Sequence, residues 1–398
     1  MPTLPAFLPP QPWLSQGATH AVLRALAAEG ATVRFVGGAV RDALLGRPVE
    51  DIDLASTAPP ETNLRLLRQA GLTAIPTGLK HGTVTAVVEG RHFEITTLRA
   101  DVETFGRHAR VAFTEDWEGD AARRDFTMNA LYADADGRLH DPTGGLADLR
   151  AGRVRFVGDP ATRIAEDRLR ALRFFRFLAS YGRTPVDRRA LAACRDAAPQ
   201  LNELSGERIR NELFRLLVAP RALPVLRLMQ KHGILAEILP AVPDFRRLTR
   251  LRRAEAGGPD ALRRLAALLA DHVGLARDLA SRLHLSREQH ERLALLVAPP
   301  VAMARDADKS ELRRIAYRLG VPATVDLALL LGRRRLADRA RALTLPRFPL
   351  GGRDALALGA LPGPQVGRAL SAVEDWWVGR DFAPDRGACL EQLALRLR

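Results

Sequence analysis

The chain has 398 residues, enough for about two to four domains, and 47% of them are hydrophobic, which excludes global disorder. It carries a net charge of +14, and all but three of its 60 basic residues (Lys80, Lys231 and Lys309) are arginine. That balance points to a polyanionic partner such as nucleic acid, although a GC-rich genome produces the same arginine bias.

In chain order, MPTLPAFLPPQPWL has neither a basic n-region nor a continuous apolar core, and no arginine precedes Arg24. It therefore reads as neither a signal nor a transit peptide. Residues 32–36 form a β-branched run ended by Gly37-Gly38, and residues 39–45 read as a helix closed by Gly46. Asp51-Ile-Asp53-Leu-Ala55 reads as a strand, and Pro59-Pro60 opens a helix through Ala70. Residues 84–88 and 92–97 are strands around a Glu89-Gly90-Arg91 turn. Residues 101–120 read as a polar loop with a strand inside it. Amphipathic helical segments follow at 161–180, 188–197, 207–218 and 221–232. The basic stretch 246–260, ending in Gly257-Gly258-Pro259, reads as a boundary or mobile loop. A second Pro/Gly cluster occupies residues 345–352. No apolar run reaches the ~18 residues of a membrane span. Two cysteines, Cys194 and Cys389, are too few for a disulfide framework or zinc cluster. The expectation is a cytoplasmic protein without a membrane partner.

Five groups of residues carry chemistry. A glycine pair (Gly37, Gly38) between strand and helix lets backbone N–H groups approach an anion, and Arg41, beside Asp42, adds a charged fork for phosphate. Asp51 and Asp53, two apart on a strand, point the same way. Paired carboxylates repel unless a cation separates them, and hard oxygen ligands suit Mg²⁺. Glu94, flanked by Phe93 and Ile95 on the opposite face, is a third carboxylate for a two-metal site. Arg124 and Asp125, followed by Asn129, could hold a ribose hydroxyl or form an ordinary ion pair. Asp167 and Arg170 fall three apart on a helix and so share a face. An Asp acceptor beside an Arg donor matches the amino and ring-nitrogen edges of cytosine and adenine. The reversed edges of uracil and guanine would leave buried groups unpaired.

Taken in order, these motifs resemble the class II tRNA nucleotidyltransferase / poly(A) polymerase family of the DNA polymerase β superfamily. The resemblance spans about residues 33–215. It rests on VRFVGGAVRDALLGRPVEDIDLAST, TGLKHGTVT, FEITTLRADVETFGRHARVAFTEDWEGDAARRDFTMNALY, DPTGGLADLRAGRVRFVGDPATRIAEDRLRALRFFRF and GERIRNEL. It implies an α+β fold, with a polymerase-β-like nucleotidyltransferase head of small mixed sheet and helices before an all-helical neck, body and tail. The expected divisions are 1–135 (head), 136–220 (neck), 221–300 (body) and 301–398 (tail).

The resemblance further implies that Gly37, Gly38 and Arg41 hold the triphosphate, that Asp42 and Asn129 are further nucleotide-binding residues, and that Asp51, Asp53 and Glu94 are catalytic carboxylates holding Mg²⁺. Arg124 and Asp125 would read the ribose, and Asp167 and Arg170, braced by Glu166, would select the base. Glu207, Arg208 and Arg210 match a motif supporting the neck, and residues 101–120 match a loop that helps the pocket change from CTP to ATP. The implied reaction adds C, C and A to the tRNA 3′ end from CTP and ATP, releasing pyrophosphate. Where bacterial poly(A) polymerases carry a G-R-R-F-x-L-x-H-like signature, this chain has Pro76-Thr-Gly-Leu-Lys80-His81-Gly-Thr-Val-Thr85, the CCA-adding form. An A-adding enzyme with a CC-adding partner, a poly(A) polymerase and a non-catalytic RNA-binding protein are the rival readings. Monomer and homodimer both stay open. No H-D phosphohydrolase constellation is evident, and His272 reads as an ordinary helix residue. Residues 358–367 read either as a glycine hairpin offering amides to phosphate or as a plain connection between helices.

Overall fold

The computed structural model describes residues 5–49, 51–105, 108–239, 243–269 and 273–397, so His272 lies outside them. Packing divides the chain into two units, Met1–Ile238 and Leu239–Arg398. Among the described residues no helix is long and apolar enough to cross a membrane.

In the first unit, α1 (Gly17–Ala27) leads to β1 (Val33–Val36), which Gly37 turns into α2 (Gly38–Leu44). Next come β2 (Ile52–Ser56), α3 (Pro60–Gln69), β3 (Thr73–Gly78), β4 (Thr83–Val88) and β5 (Arg91–Thr97). A separate hairpin, β6 (Arg99–Phe105) and β7 (His108–Phe113), precedes α4 (Trp117–Ala122), β8 (Tyr132–Ala133) and β9 (Leu139–His140). The rest is helical: α5 (Gly145–Ala151), α6 (Pro160–Glu166), α7 (Leu169–Tyr181), α8 (Arg188–Asp196), α9 (Gly206–Val218) and α10 (Ala222–Lys231).

Seven strands form one mixed sheet in the order β3-β4-β5-β2-β1-β8-β9. Only the β2–β5 pair is parallel, and its register sets Asp53 directly beside Glu94. The alternation of a half-covered sheet explains why: Leu54, Phe93 and Ile95 are fully buried while Glu94 is exposed. A buried polar knot secures the end of that pair. Ser56 donates to Asn63 Oδ1 (3.0 Å), and the Asn63 amide and Thr97 hydroxyl both donate to the Ala58 carbonyl (3.0 and 2.8 Å). Helix α7 is anchored by aromatic packing, with Phe174 and Phe177 against Phe126 and Phe156.

The expected strands at 84–88 and 92–97 and the helices at 39–45, 60–70, 188–197, 207–218 and 221–232 are present within a residue or two. Three local expectations change. Residues 101–120 are a hairpin arm and a helix rather than a loop: β6 and β7 pair antiparallel, and the Asp116 side chain caps the helix that follows. The segment 161–180 is two helices, since Asp167 is extended (φ −150°, ψ 106°). The sequence reading also passed over β3, where Pro76 is tolerated because β3 is the sheet's edge.

The second unit is helical throughout its described residues: α11 (Phe245–Ala254), α12 (Ala261–Leu269), α13 (Val273–Arg282), α14 (Arg287–Val297), α15 (Lys309–Leu319), α16 (Val321–Leu330), α17 (Arg334–Arg341), α18 (Gly352–Ala357), α19 (Pro364–Gly379) and α20 (Arg386–Leu397). The stretch expected to be a boundary is mostly α11, whose Leu248, Leu251 and Ala254 recur every third residue and are buried beneath its arginines. A buried ionic network joins the unit's helices. Asp326 accepts from Arg263 (2.8 Å) and Arg292 (2.7 Å), and Glu255 binds Arg263 and Arg264 (3.1 and 2.7 Å). Residues 358–363 connect α18 to α19.

Candidate active site

Gly37 closes β1 with φ 67°, a conformation that suits glycine, and brings α2 across the end of the sheet. A Cβ on Gly38 would stand 3.8 Å from Arg41 Nη2 and 4.0 Å from Asp53 Oδ2, so the glycine pair, the arginine and the carboxylate share one small volume. They line an open cleft of about 510 Å³ that also gathers Arg123, Arg124, Asp125, Asn129, Asp167, Arg170, Arg173, Arg176, Arg208 and Arg215. The lining residues come from segments up to 178 residues apart in the chain (Gly37 to Arg215), which is why no one motif defines the site.

The lining is strongly positive: eight arginines, no lysine and three aspartates. Asp53 differs from Asp125 in its protonation. Burial pushes its carboxyl up to about 6, and the neighbouring Glu94 and Asp51 charges add to this, while Arg124 and Arg41 act the other way. Asp51 itself is exposed and immediately precedes β2. Asp51, Asp53 and Glu94 are therefore neighbours at the sheet's end, Glu94 on the next strand. Among the described residues, however, no three His, Cys, Asp or Glu side chains converge into a finished metal cage. Neighbouring carboxylates repel one another, and an all-oxygen set of this kind fits a divalent cation that takes its remaining ligands from phosphate and water.

Arg41 is buried and held on three sides. Its Nε and Nη2 donate to the two oxygens of Asp42 (3.1 and 2.6 Å), and Nη1 donates to Asn129 Oδ1 (2.6 Å). The Asn129 amide in turn donates to Asp125 Oδ1 (2.9 Å), which also accepts from the Phe126 backbone N–H. Asp125 Oδ2 accepts from Arg173 Nε (2.7 Å). Burial works to raise the Asp125 pKa, but Arg173, the Asn129 amide and the Phe126 N–H together hold it below the usual carboxylate range.

Arg124 and Asp125 thus do not pair with each other. Arg124 binds Asp120 Oδ2 (2.9 Å) and its Nε donates to the Tyr132 hydroxyl (3.2 Å). Asp120, fully buried, also binds Arg123 and accepts from Tyr132 (2.8 Å). The sequence reading passed over Asp120, although its spacing of three and four to Arg123 and Arg124 is the helical ion-pair signal.

Nor do Asp167 and Arg170 lie three apart on one helix. Asp167 occupies the break between α6 and α7, where its Oδ1 accepts from the Leu169 N–H (3.1 Å). Its Oδ2 accepts from Arg208 of α9 (2.7 Å). Arg170 is bound by Glu166 and donates to the carbonyls of Arg163 (3.0 Å) and Arg123 (3.2 Å). The two side chains nonetheless line the same cleft, which is what the base-reading idea requires.

Residues 33–155 match the poly A polymerase head domain, and residues 185–245 match the probable RNA and SrmB-binding site of polymerase A. The chain is 38% identical over 378 residues to the mitochondrial CCA tRNA nucleotidyltransferase 1 of Danio rerio, covering 91% of this chain and 87% of the relative. The Homo sapiens protein of the same name is 34% identical, covering 92% and 87%. A crystal structure of the Bacillus stearothermophilus CCA-adding enzyme in complex with CTP superposes with a TM-score of 0.75 at 27% identity, covering 97% of this chain and 98% of that one. A cleft assembled from the glycine pair, the sheet-end carboxylates and the α6–α7 junction, together with similarity along almost the whole chain, shows that the protein belongs to the class II tRNA nucleotidyltransferase / poly(A) polymerase family, alongside its CCA-adding members.

Proposed function

We propose that this chain adds C, C and A to the 3′ end of tRNA from CTP and ATP, releasing pyrophosphate. The observation that carries the reading is the single cleft in which the phosphate-type, ribose-type and base-type residues, far apart in sequence, face one another. Gly37, Gly38 and Arg41 would take the triphosphate, with Asp42 orienting Arg41. Arg124, Asp125 and Asn129 would bind the ribose. Asp167 and Arg170 would present an acceptor and a donor to the base, which suits cytosine and adenine and leaves uracil and guanine mismatched. Asp51, Asp53 and Glu94 would hold Mg²⁺, which when bound supplies Lewis-acid activation of the attacking 3′-hydroxyl and charge neutralisation at the leaving pyrophosphate.

The four-part head, neck, body and tail division belongs to the same proposal. The net charge of +14 supports recognition of tRNA through its backbone and shape rather than its sequence. Both cysteines are free and buried, which supports work in a reducing compartment, here taken as the cytoplasm. The test is nucleotide incorporation with Mg²⁺ on tRNAs lacking the tail, ending in C, or ending in CC. Exactly three added residues on the tailless tRNA, with CTP and ATP both required, is the expected result. Incorporation only of A onto the CC-ended substrate would replace the reading with an A-adding enzyme, and long A tracts with a poly(A) polymerase.

A further inference from the structure

Arg41 is supported from an unexpected direction. Beneath its guanidinium lies the last turn of α7, with its central carbon 4.5 Å from the Tyr181 ring centre and 5.3 Å from that of Phe177. The Tyr181 hydroxyl donates to Asp42 Oδ1 (3.1 Å), the same oxygen that accepts from Arg41 Nε. A second cation meets the ring, since Arg47 places its guanidinium carbon 4.5 Å from the Tyr181 centre and donates to the Ser180 carbonyl (2.9 Å).

Three of the five guanidinium N–H groups of Arg41 are taken by Asp42 and Asn129, which leaves two for a ligand in the cleft. Their direction depends on the plane of the guanidinium. Asp42 fixes one edge of that plane, and the Tyr181 ring fixes its face. Without the hydroxyl, Asp42 loses a donor; without the ring, the guanidinium loses its floor. A cation over an aromatic ring and a hydrogen bond to a carboxylate are each directional.

We propose that Tyr181 is a positioning residue: it orients Arg41, through the ring and through Asp42, toward the phosphates of the incoming nucleotide. Helix α7 therefore serves the phosphate end of the cleft at its last turn and the base end at its first, where Arg170 lies. The proposal rests on the reading of Arg41 as a phosphate ligand. Because phosphate is common to both substrates, the effect of Tyr181 falls equally on CTP and ATP and leaves base choice alone.

The experiment compares Tyr181→Phe, Tyr181→Leu and Arg41→Gln by steady-state kinetics and by inhibition with inorganic pyrophosphate, with thermal melts to confirm folding. Tyr181→Phe should raise KM for CTP and ATP by a common factor of about three, and Tyr181→Leu by about ten, with pyrophosphate inhibition weakened in step and CTP-over-UTP preference unchanged. A side chain that only packs would leave the Phe variant at wild-type KM, and that result overturns the proposal. So does a Leu variant that stays folded and alters one nucleotide but not the other. If Arg41→Gln raises both KM values while the Tyr181 variants do not, the positioning role alone is wrong. If Arg41→Gln changes neither KM nor pyrophosphate inhibition, the phosphate reading fails and takes this inference with it.

Discussion

At the residue scale the cleft turns on a few carboxylates, and each has a different environment. Asp53→Asn should abolish transfer, by at least about a thousandfold, while RNA binding in a gel-shift assay persists, because the arginine lining is untouched. The raised Asp53 carboxyl gives a pH test with a fixed sign. Ionising a group lifted from 3.8 to about 6 works against the cation-free fold, so that fold loses stability as pH rises through this window. A cation needs the ionised form, so Mg²⁺ should raise the melting temperature more at about pH 7.5 than at about pH 5. An equal increment at both would remove Asp53 from the metal site. Asp167→Ala should let UTP in. Arg208→Gln should do so more weakly, since Arg208 holds the Asp167 carboxylate without itself matching a base edge. Competition assays of CTP against UTP would read both.

At the scale of elements, the parallel β2–β5 pair brings Asp53 to Glu94, and the knot of Ser56, Asn63 and Thr97 holds the end of that pair closed. Asn63→Ala would leave the Ser56 hydroxyl without its acceptor in a dry site, while Thr97 keeps the Ala58 carbonyl, and should cost about 2–3 kcal/mol in a denaturant titration. Much of this was legible in the sequence. The alternation of Phe93, Glu94 and Ile95 gave the exposed carboxylate between buried neighbours, and the Gly37-Gly38 break gave the β1–α2 turn. What was not legible came from partners supplied by other elements. The spacing of Asp167 and Arg170 suits a helix, but local capping of Leu169 competes with it and breaks the chain there. Asp125 finds Arg173 rather than the adjacent Arg124, and no local pattern marks the Tyr181 ring beneath Arg41. The hairpin β6–β7 escaped because its segment is polar overall, although Ala100-Asp-Val102-Glu-Thr104 and Ala109-Arg-Val111 alternate as strands do.

At the scale of the whole molecule, the charge of +14 is carried almost entirely by guanidinium groups, many of them already committed to internal ion pairs such as Arg263–Asp326 and Arg173–Asp125. The uncommitted remainder should make RNA affinity steeply salt-dependent. Raising salt from about 50 to 200 mM should weaken binding by at least about a hundredfold, measured by filter binding. Charge-neutralising substitution of Arg246 and Arg253, exposed on α11, would report whether the second unit contributes to that slope.

The absence of lysine from the cleft has a practical corollary. Acylating reagents modify amines and spare guanidinium groups, and the three lysines all lie outside the cleft lining. Lys80, Lys231 and Lys309 therefore offer sites for attaching a dye or a solid support while the nucleotide cleft keeps its chemistry. A dicarbonyl that condenses with guanidinium should instead silence the enzyme, and bound CTP should shield it. The same composition closes the cleft to control by lysine acetylation, so any covalent regulation of this centre must work through another chemistry.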